Sequence, residues 1–155
     1  MFLGHVREVN KTAIVWDEVW SLFDGLGTGQ SSLPEDTVVE VWSDAKKLDS
    51  VIKSGHKAIL SNGWYLNNGG TWMSYYSQDP MSLVNSPTPA QAKLVLGGEA
   101  CMWTSAFDAT TVEAAIWPNA AATAERLWSP ADVTNVTTAR NRLSGRYSCS
   151  NLCVF

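Results

Sequence analysis

Residues 37–61, TVVEVWSDAKKLDSVIKSGHKAILS, decide the fold because they contain a strand, a helix and a second strand in succession. The β-branched run 37–42 predicts the first strand. Ser43 or Asp44 can cap a helix whose apolar positions share one face, and Gly55 can end that helix. The last six residues of the stretch predict the next strand. This order of elements indicates a parallel βαβ unit.

Similar segments lie on both sides of this unit. Residues 12–16 and 93–97 predict two more strands, and residues 119–128 and 137–146 predict two helices. Between the first two strands, segment 24–34 is rich in Gly and Ser, which predicts a loop. Strands that alternate with helices in this way predict an α/β fold built on a parallel sheet.

The composition argues against several function classes. The 155 residues include 11 basic and 15 acidic side chains, a formal net charge of −4, and the longest basic cluster is Lys46-Lys47. A nucleic acid is therefore not expected as a partner. Every apolar run is short, as in strands, so no membrane span is expected. The two His and three Cys residues lack the spacing of a zinc site. No metal and no cofactor are expected.

Each predicted strand has an aromatic side chain at or just past its end: Trp16, Trp42, Trp64 with Tyr65, and Trp103. The carboxyl ends of parallel strands lie at one edge of a sheet, where the chemistry of such folds collects. A flat aromatic wall with few polar contacts can stack on the apolar face of a sugar ring. Tryptophans that only fill a core are the alternative interpretation. The recurrence at four strand ends favours the sugar site.

Several ordered segments form a family pattern: 13–19 (AIVWDEV), 39–42 (VEVW), 60–67 (LSNGWYLN), 97–103 (GGEACMW), 116–118 (IWP) and 124–129 (AERLWS). In this order the chain resembles the β-N-acetylhexosaminidases of glycoside hydrolase family 20, most closely the eukaryotic lysosomal or secreted type. The resemblance implies a partial (β/α)8 TIM barrel, the last four βα units of eight. Residues 1–147 would form this C-terminal half of the catalytic barrel, and residues 148–155 a divergent tail.

The resemblance also implies a reaction. Such enzymes remove terminal N-acetylglucosamine or N-acetylgalactosamine with retention, and the substrate's own acetamido oxygen attacks the anomeric carbon. Trp16, Trp42 and Trp103 would wall the sugar pocket. Tyr65 would hydrogen-bond and orient the acetamido oxygen, a contribution that can be worth orders of magnitude in rate. Asn67 would bind sugar hydroxyls.

Two departures from the family pattern affect the expected activity. The family follows its last pocket tryptophan with Gly-Glu, whereas Thr104-Ser105 follow here. The family's catalytic Asp-Glu dyad lies in a His-x-Gly-Gly-Asp-Glu stretch, which this sequence does not contain. Asp17-Glu18 belongs to a different strand and is interpreted as a supporting pair. We therefore expect a hexosaminidase half that is inactive alone. A sugar-binding remnant without turnover and a non-functional truncated product are the alternatives.

The remaining signals concern location and packing. No export signal is visible at the N-terminus, yet Asn10-Lys11-Thr12 and Asn135-Val136-Thr137 are acceptor patterns for N-linked glycans. The family places the parent protein in the lysosome or outside the cell, and analogy adds a dimer partner. Trp64 fits either the pocket or the core. The four other tryptophans are expected to pack internally: Trp20, Trp72, Trp117 and Trp128.

Overall fold

The computed structural model describes residues 2–23 and 33–152. Within these ranges the chain contains the following helices and strands: α1 (Phe2–Glu8), β1 (Ile14–Trp16), α2 (Asp17–Phe23), β2 (Val38–Val41), α3 (Lys47–Lys53), β3 (Lys57–Leu60), α4 (Trp72–Ser77), α5 (Pro89–Ala92), β4 (Val95–Gly98), α6 (Val112–Ile116), α7 (Asn119–Trp128) and α8 (Val136–Leu152). Short 3-10 helices occur at Leu66–Asn68, Pro80–Leu83 and Thr104–Ala106. Most of the predicted loop 24–34 lies outside the described residues.

The chain divides into two compact units. The first unit comprises residues 1–62 and 80–98, and the second comprises residues 63–79 and 99–155. All four described strands belong to the first unit and form one parallel sheet in the order β1-β2-β3-β4. The predicted α/β fold with a parallel sheet is confirmed.

The core of the first unit lies between one face of the sheet and α3. Val39 and Val41 of β2 pair in register with Ala58 and Leu60 of β3, and all four are fully buried. They pack with three apolar side chains of α3 that are also fully buried: Leu48, Val51 and Ile52. Burial of each such large side chain stabilises the fold by about 1.5–3 kcal/mol. The predicted apolar face of this helix is confirmed.

The ends of α3 agree only partly with the prediction. The helix begins at Lys47, and its N-cap residue is Lys46 with no side-chain cap, so the predicted cap at Ser43 or Asp44 is wrong. The Ser43 hydroxyl donates to Asp17 Oδ1 at 2.9 Å. Asp44 Oδ1 accepts a hydrogen bond from the Lys46 N–H at 2.9 Å, just before the helix. At the other end Gly55 has a φ of +93°, a left-handed conformation that favours glycine, and the predicted stop is confirmed.

The second unit is a helical assembly in which α4 packs against α7 and α8. Predicted helix 119–128 matches α7, and predicted helix 137–146 begins one residue after the start of α8, which continues to Leu152. Polar contacts join these helices: Arg126 pairs with Asp79 at 2.5 Å, and Glu125 pairs with Arg142 at 2.6 Å. Glu125 thus joins α7 to α8, and Arg126 joins α7 to the loop that follows α4. In the described ranges, no helix combines the length and apolar character that crossing a bilayer requires.

Candidate functional site

Two of the predicted pocket residues meet at the carboxyl ends of neighbouring strands in the first unit. Trp16 is the last residue of β1, and Trp42 directly follows β2. Their ring centroids lie 6.3 Å apart with the planes inclined by 58°. Trp16 is 51% exposed and Trp42 is partly exposed. The pair therefore presents aromatic surface at the strand ends. That this surface stacks on a sugar stays a prediction.

Every hydrogen-bonding group of Trp42 has a partner in the first unit. Its main-chain N–H donates to Asp17 Oδ2 at 3.1 Å, and its indole Nε1–H donates to Glu18 Oε2 at 2.8 Å. Its carbonyl oxygen accepts from Asn62 Nδ2 at 2.7 Å. Three different side chains thus hold the backbone and the ring of this residue.

Asp17 is a fully buried carboxylate at the start of α2. It accepts hydrogen bonds from the main chain of Trp42 and Ser43, from the Ser43 hydroxyl, and from Lys47 Nζ at 3.0 Å. Burial opposes ionisation, but the hydrogen bonds from Ser43 and Lys47 outweigh it, so the pKa of Asp17 lies below its ordinary value. The ionised group joins the ends of β1 and β2. These contacts agree with the interpretation of Asp17-Glu18 as a supporting pair.

The second unit fixes the backbone of Tyr65, the residue predicted to orient the acetamido group. Its carbonyl oxygen accepts from the Tyr75 hydroxyl of α4 at 2.7 Å. On the other side it forms a parallel bridge with Cys101, whose N–H donates to the Trp64 carbonyl at 3.0 Å. The Leu66 N–H donates to the Cys101 carbonyl at 2.8 Å. The Tyr65 segment is thus anchored on both sides, and its side chain is partly buried.

Asn67 and Trp103 also lie together in the second unit. The main-chain N–H of Trp103 donates to Asn67 Oδ1 at 3.4 Å, and Asn67 Nδ2 donates to Asn68 Oδ1 at 3.2 Å. Asn67 therefore orders the backbone that carries Trp103, whose indole is 51% exposed. Its role toward sugar hydroxyls stays a prediction. The substituted Ser105 is exposed in the short 3-10 helix that follows.

The other tryptophans are buried, half-buried or exposed. Trp72 is half-buried, with its ring centroid 6.4 Å from that of Tyr76. Trp64 is fully buried, and its indole donates to the Tyr75 carbonyl at 2.9 Å, so it belongs to packing. Trp20 is also buried, as predicted. The expectation that Trp117 and Trp128 pack internally is wrong, because they are 46% and 91% exposed.

The exposure of Trp128 follows from helical geometry. The buried positions of α7 include Ala122 and Arg126, which lie four residues apart on one face of the helix. Trp128 is two residues beyond Arg126 and therefore projects from a different face. Helix-to-helix packing in this unit does not reach it.

Sequence reasoning missed two residues that support the predicted site. Asn62 precedes a glycine, and an Asn-Gly pair indicates only a turn. Tyr75 lies ten residues after Tyr65, and no local pattern links the two. Both donate a hydrogen bond to a main-chain carbonyl oxygen. Every residue of a chain carries such an acceptor, so the sequence does not indicate which one is used. Only the folded path of the chain selects the partner.

Comparison with known proteins gives a family match and close relatives. Residues 2–131 match the glycosyl hydrolase family 20 catalytic domain. The chain is 43% identical over 148 residues to a β-hexosaminidase subunit beta of Felis catus, covering 92% of this chain and 26% of the cat protein. It is 39% identical over 153 residues to the human subunit beta, covering 95% and 26%. The chain thus spans about a quarter of the length of these relatives.

A solved structure supports the fold assignment. The chitobiase of Flavobacterium johnsoniae superimposes with a TM-score of 0.80 at 30% identity, covering 90% of this chain and 21% of that one. This likeness and the four parallel strands with their helices confirm the predicted partial (β/α)8 barrel.

Proposed function

The chain belongs to glycosyl hydrolase family 20, and on that premise we propose that it forms the C-terminal half of the catalytic barrel of an exo-acting β-N-acetylhexosaminidase. The parent protein would remove terminal, non-reducing N-acetylglucosamine or N-acetylgalactosamine. The similarity to β-hexosaminidase subunits supports this reaction. We place the barrel segment at residues 1–147 and a divergent tail at 148–155.

The observation that carries this proposal is the Trp16–Trp42 pair. An indole face binds the C–H surface of a pyranose ring through dispersion and the burial of apolar surface. This contact is lost if the indole ring rotates away from the sugar. The two rings contact each other, and hydrogen bonds hold the backbone and indole of Trp42. Such an arrangement suits a wall that receives a sugar without rearranging.

Tyr65 would act on the reacting group itself. In substrate-assisted retention the acetamido oxygen forms a bond to the anomeric carbon while the glycosidic bond to the leaving oxygen breaks. A hydroxyl that donates to the acetamido oxygen holds it in line for attack. The anchored backbone of Tyr65 supports this role. Trp103 would complete the aromatic contacts, and Asn67 would bind a sugar hydroxyl.

This sequence does not contain the family's Asp-Glu dyad, so we expect no residue of these 155 to protonate the leaving oxygen. We therefore expect the 155-residue chain alone to release no chromophore from a chromogenic N-acetylglucosaminide. A chimera in which this chain replaces the matching region of the cat subunit should release it. Tyr65→Phe in the chimera should lower kcat by about a hundredfold, the scale of losing one preorganised donor. A folded but inactive chimera would contradict the proposed function.

A sugar-binding remnant without turnover is the second candidate, and the exposed aromatic pair favours it. Calorimetry of the isolated chain with N-acetylglucosamine and its thiazoline analogue separates the two. Binding by the chain together with an inactive chimera would support the remnant. Binding to neither ligand and no cooperative melt would indicate a non-functional product.

We further propose that the parent protein is lysosomal or secreted, carries N-linked glycans and pairs with a second subunit. Asn10 and Asn135, the two acceptor residues, are both exposed. Expression in a eukaryotic secretory host should give a mass that falls on treatment with an N-glycosidase. Replacing both acceptors by Gln should remove the shift.

A further inference from the structure

The ring of Trp42 is held by a different hydrogen bond from those that hold its backbone. Asp17 and Asn62 bind only the main-chain groups of this residue, so they place its Cα but do not set the side-chain torsions. Glu18 binds the indole Nε1–H at 2.8 Å. This hydrogen bond therefore selects one orientation of the ring plane.

Glu18 is itself well placed to act as a restraint. It lies in the first turn of α2, directly after Asp17, whose buried carboxylate ties that turn to the residues following β2. The position of the Glu18 backbone is thus determined by the same network that places Trp42. Because this network places both partners, their hydrogen bond holds the indole in position before a sugar binds. Little conformational entropy of the Trp42 side chain is then lost when the sugar binds.

We propose that Glu18 is a positioning residue, one that fixes the plane of the Trp42 indole so that its face is ready to receive a sugar ring. This inference rests on the proposed function, because it assumes that Trp42 contacts the sugar. The role requires a hydrogen-bond acceptor at Oε2. It does not require a negative charge.

That requirement distinguishes positioning from an electrostatic or proton-transfer role. Glu18→Gln keeps an acceptor oxygen and nearly the same shape but removes the charge and the titratable proton. Glu18→Met keeps the length of the side chain and removes the acceptor. A positioning residue should be rescued by Gln and not by Met, whereas an acid, a base or a charge-stabilising group would be lost in both variants.

The test uses the full 155-residue chain, labelled with 15N. The indole N–H resonance of Trp42 is identified by its disappearance in Trp42→Phe, and calorimetry measures the Kd for the thiazoline analogue of N-acetylglucosamine. Glu35, an exposed glutamate of the same unit, provides the matched control Glu35→Met. Circular dichroism checks that every variant is folded.

We expect the Trp42 indole resonance to move upfield and its hydrogen exchange to accelerate in Glu18→Met, with Glu18→Gln and Glu35→Met close to the unmodified chain. Kd should rise about fivefold in Glu18→Met, the scale of one net hydrogen bond, and less than twofold in the other two. An unchanged indole resonance in Glu18→Met would overturn the inference. Equal Kd values for Glu18→Met and the unmodified chain would also overturn it.

The failure of the proposed function has a different signature. If the unmodified chain does not bind the analogue and the chimera with the cat subunit is inactive, while the indole resonance still responds to Glu18→Met, sugar binding by Trp42 is overturned, and the positioning role falls with it. If the unmodified chain binds and Glu18→Gln weakens binding as much as Glu18→Met, the charge matters. The acceptor role is then wrong, and the proposed function stands.

Discussion

Asp17 illustrates how a buried carboxylate beside a predicted binding site can have a structural role. Its oxygens accept hydrogen bonds from two main-chain groups, a hydroxyl and an ammonium group. Desolvation alone would favour its protonated form, but these donors favour the charged form more strongly. A carboxylate held in this way has no proton to give at neutral pH. Its contribution is to the stability of the strand ends.

This contribution depends on pH with a defined sign. Because the pKa of Asp17 is lower in the folded chain than in the unfolded one, ionisation stabilises the fold above about pH 4, and the stabilisation is lost as the pH falls through the folded pKa. Asp17→Asn should lower the free energy of unfolding by about 2–3 kcal/mol at pH 7, because the Lys47 ammonium loses its partner. The difference between the two proteins should shrink below pH 4.

Urea titrations followed by tryptophan fluorescence at neutral and acid pH measure both effects. Asp132 is an exposed aspartate in the second unit, and Asp132→Asn serves as the control with no expected change. A difference between Asp17→Asn and the unmodified chain that does not change with pH would show that ionisation of Asp17 does not stabilise the fold.

At the level of elements, α4 anchors the segment that carries Tyr65. The Tyr75 hydroxyl donates to the Tyr65 carbonyl, and burial, its largest influence, raises the pKa of the Tyr75 phenol, which therefore stays a neutral donor. Tyr75→Phe should lower the free energy of unfolding by about 1 kcal/mol through the lost hydrogen bond. It should also accelerate exchange of the Leu66 amide, whose bond to Cys101 lies next to the anchor.

A neighbouring tyrosine offers a matched comparison for that experiment. The Tyr76 hydroxyl of the same helix donates to the Val133 carbonyl at 2.9 Å and not to the Tyr65 segment. Tyr76→Phe should therefore be destabilising without changing the exchange rate of the Leu66 amide. If both variants accelerate this amide equally, α4 does not anchor Tyr65 specifically.

The helices and strands differ in how well the local sequence predicts them. The four strands and α7 follow from apolar runs and one-sided periodicity, which depend on local sequence. The start of α3 does not, because the helix begins at Lys47 with Lys46 at its N-cap position, three residues past Ser43. The Ser43 hydroxyl instead bonds the buried carboxylate of Asp17, a partner that only the fold brings within reach.

On the scale of the whole chain, the sheet has a strand edge at each end. Among the described residues β1 pairs with β2 alone, and Ile14 of β1 is 60% exposed. Exposed apolar edge strands promote association, and lysine on such a strand opposes it. We expect the isolated chain to self-associate with rising concentration, and Ile14→Lys to reduce this association in sedimentation velocity experiments.

A helical position distinguishes the strand edge from general hydrophobicity. Leu22 of α2 is 68% exposed, and Leu22→Lys adds the same charge away from the sheet. Association that Leu22→Lys reduces as much as Ile14→Lys would argue against pairing through β1. Loss of association only in Ile14→Lys would identify that strand as the contact.

The sequence by itself determined the family, the order of the strands and the identity of the aromatic side chains at their ends. These depend on residue types at fixed spacings, which the chain carries whether or not it is folded. The tertiary structure alone decided which groups hold those side chains: Asp17, Glu18 and Asn62 around Trp42, and Tyr75 behind Tyr65. It also decided that Trp64 is buried and Trp128 exposed. Hydrogen-bond partners and burial depend on what the fold brings within about 3 Å, and sequence spacing does not contain that distance.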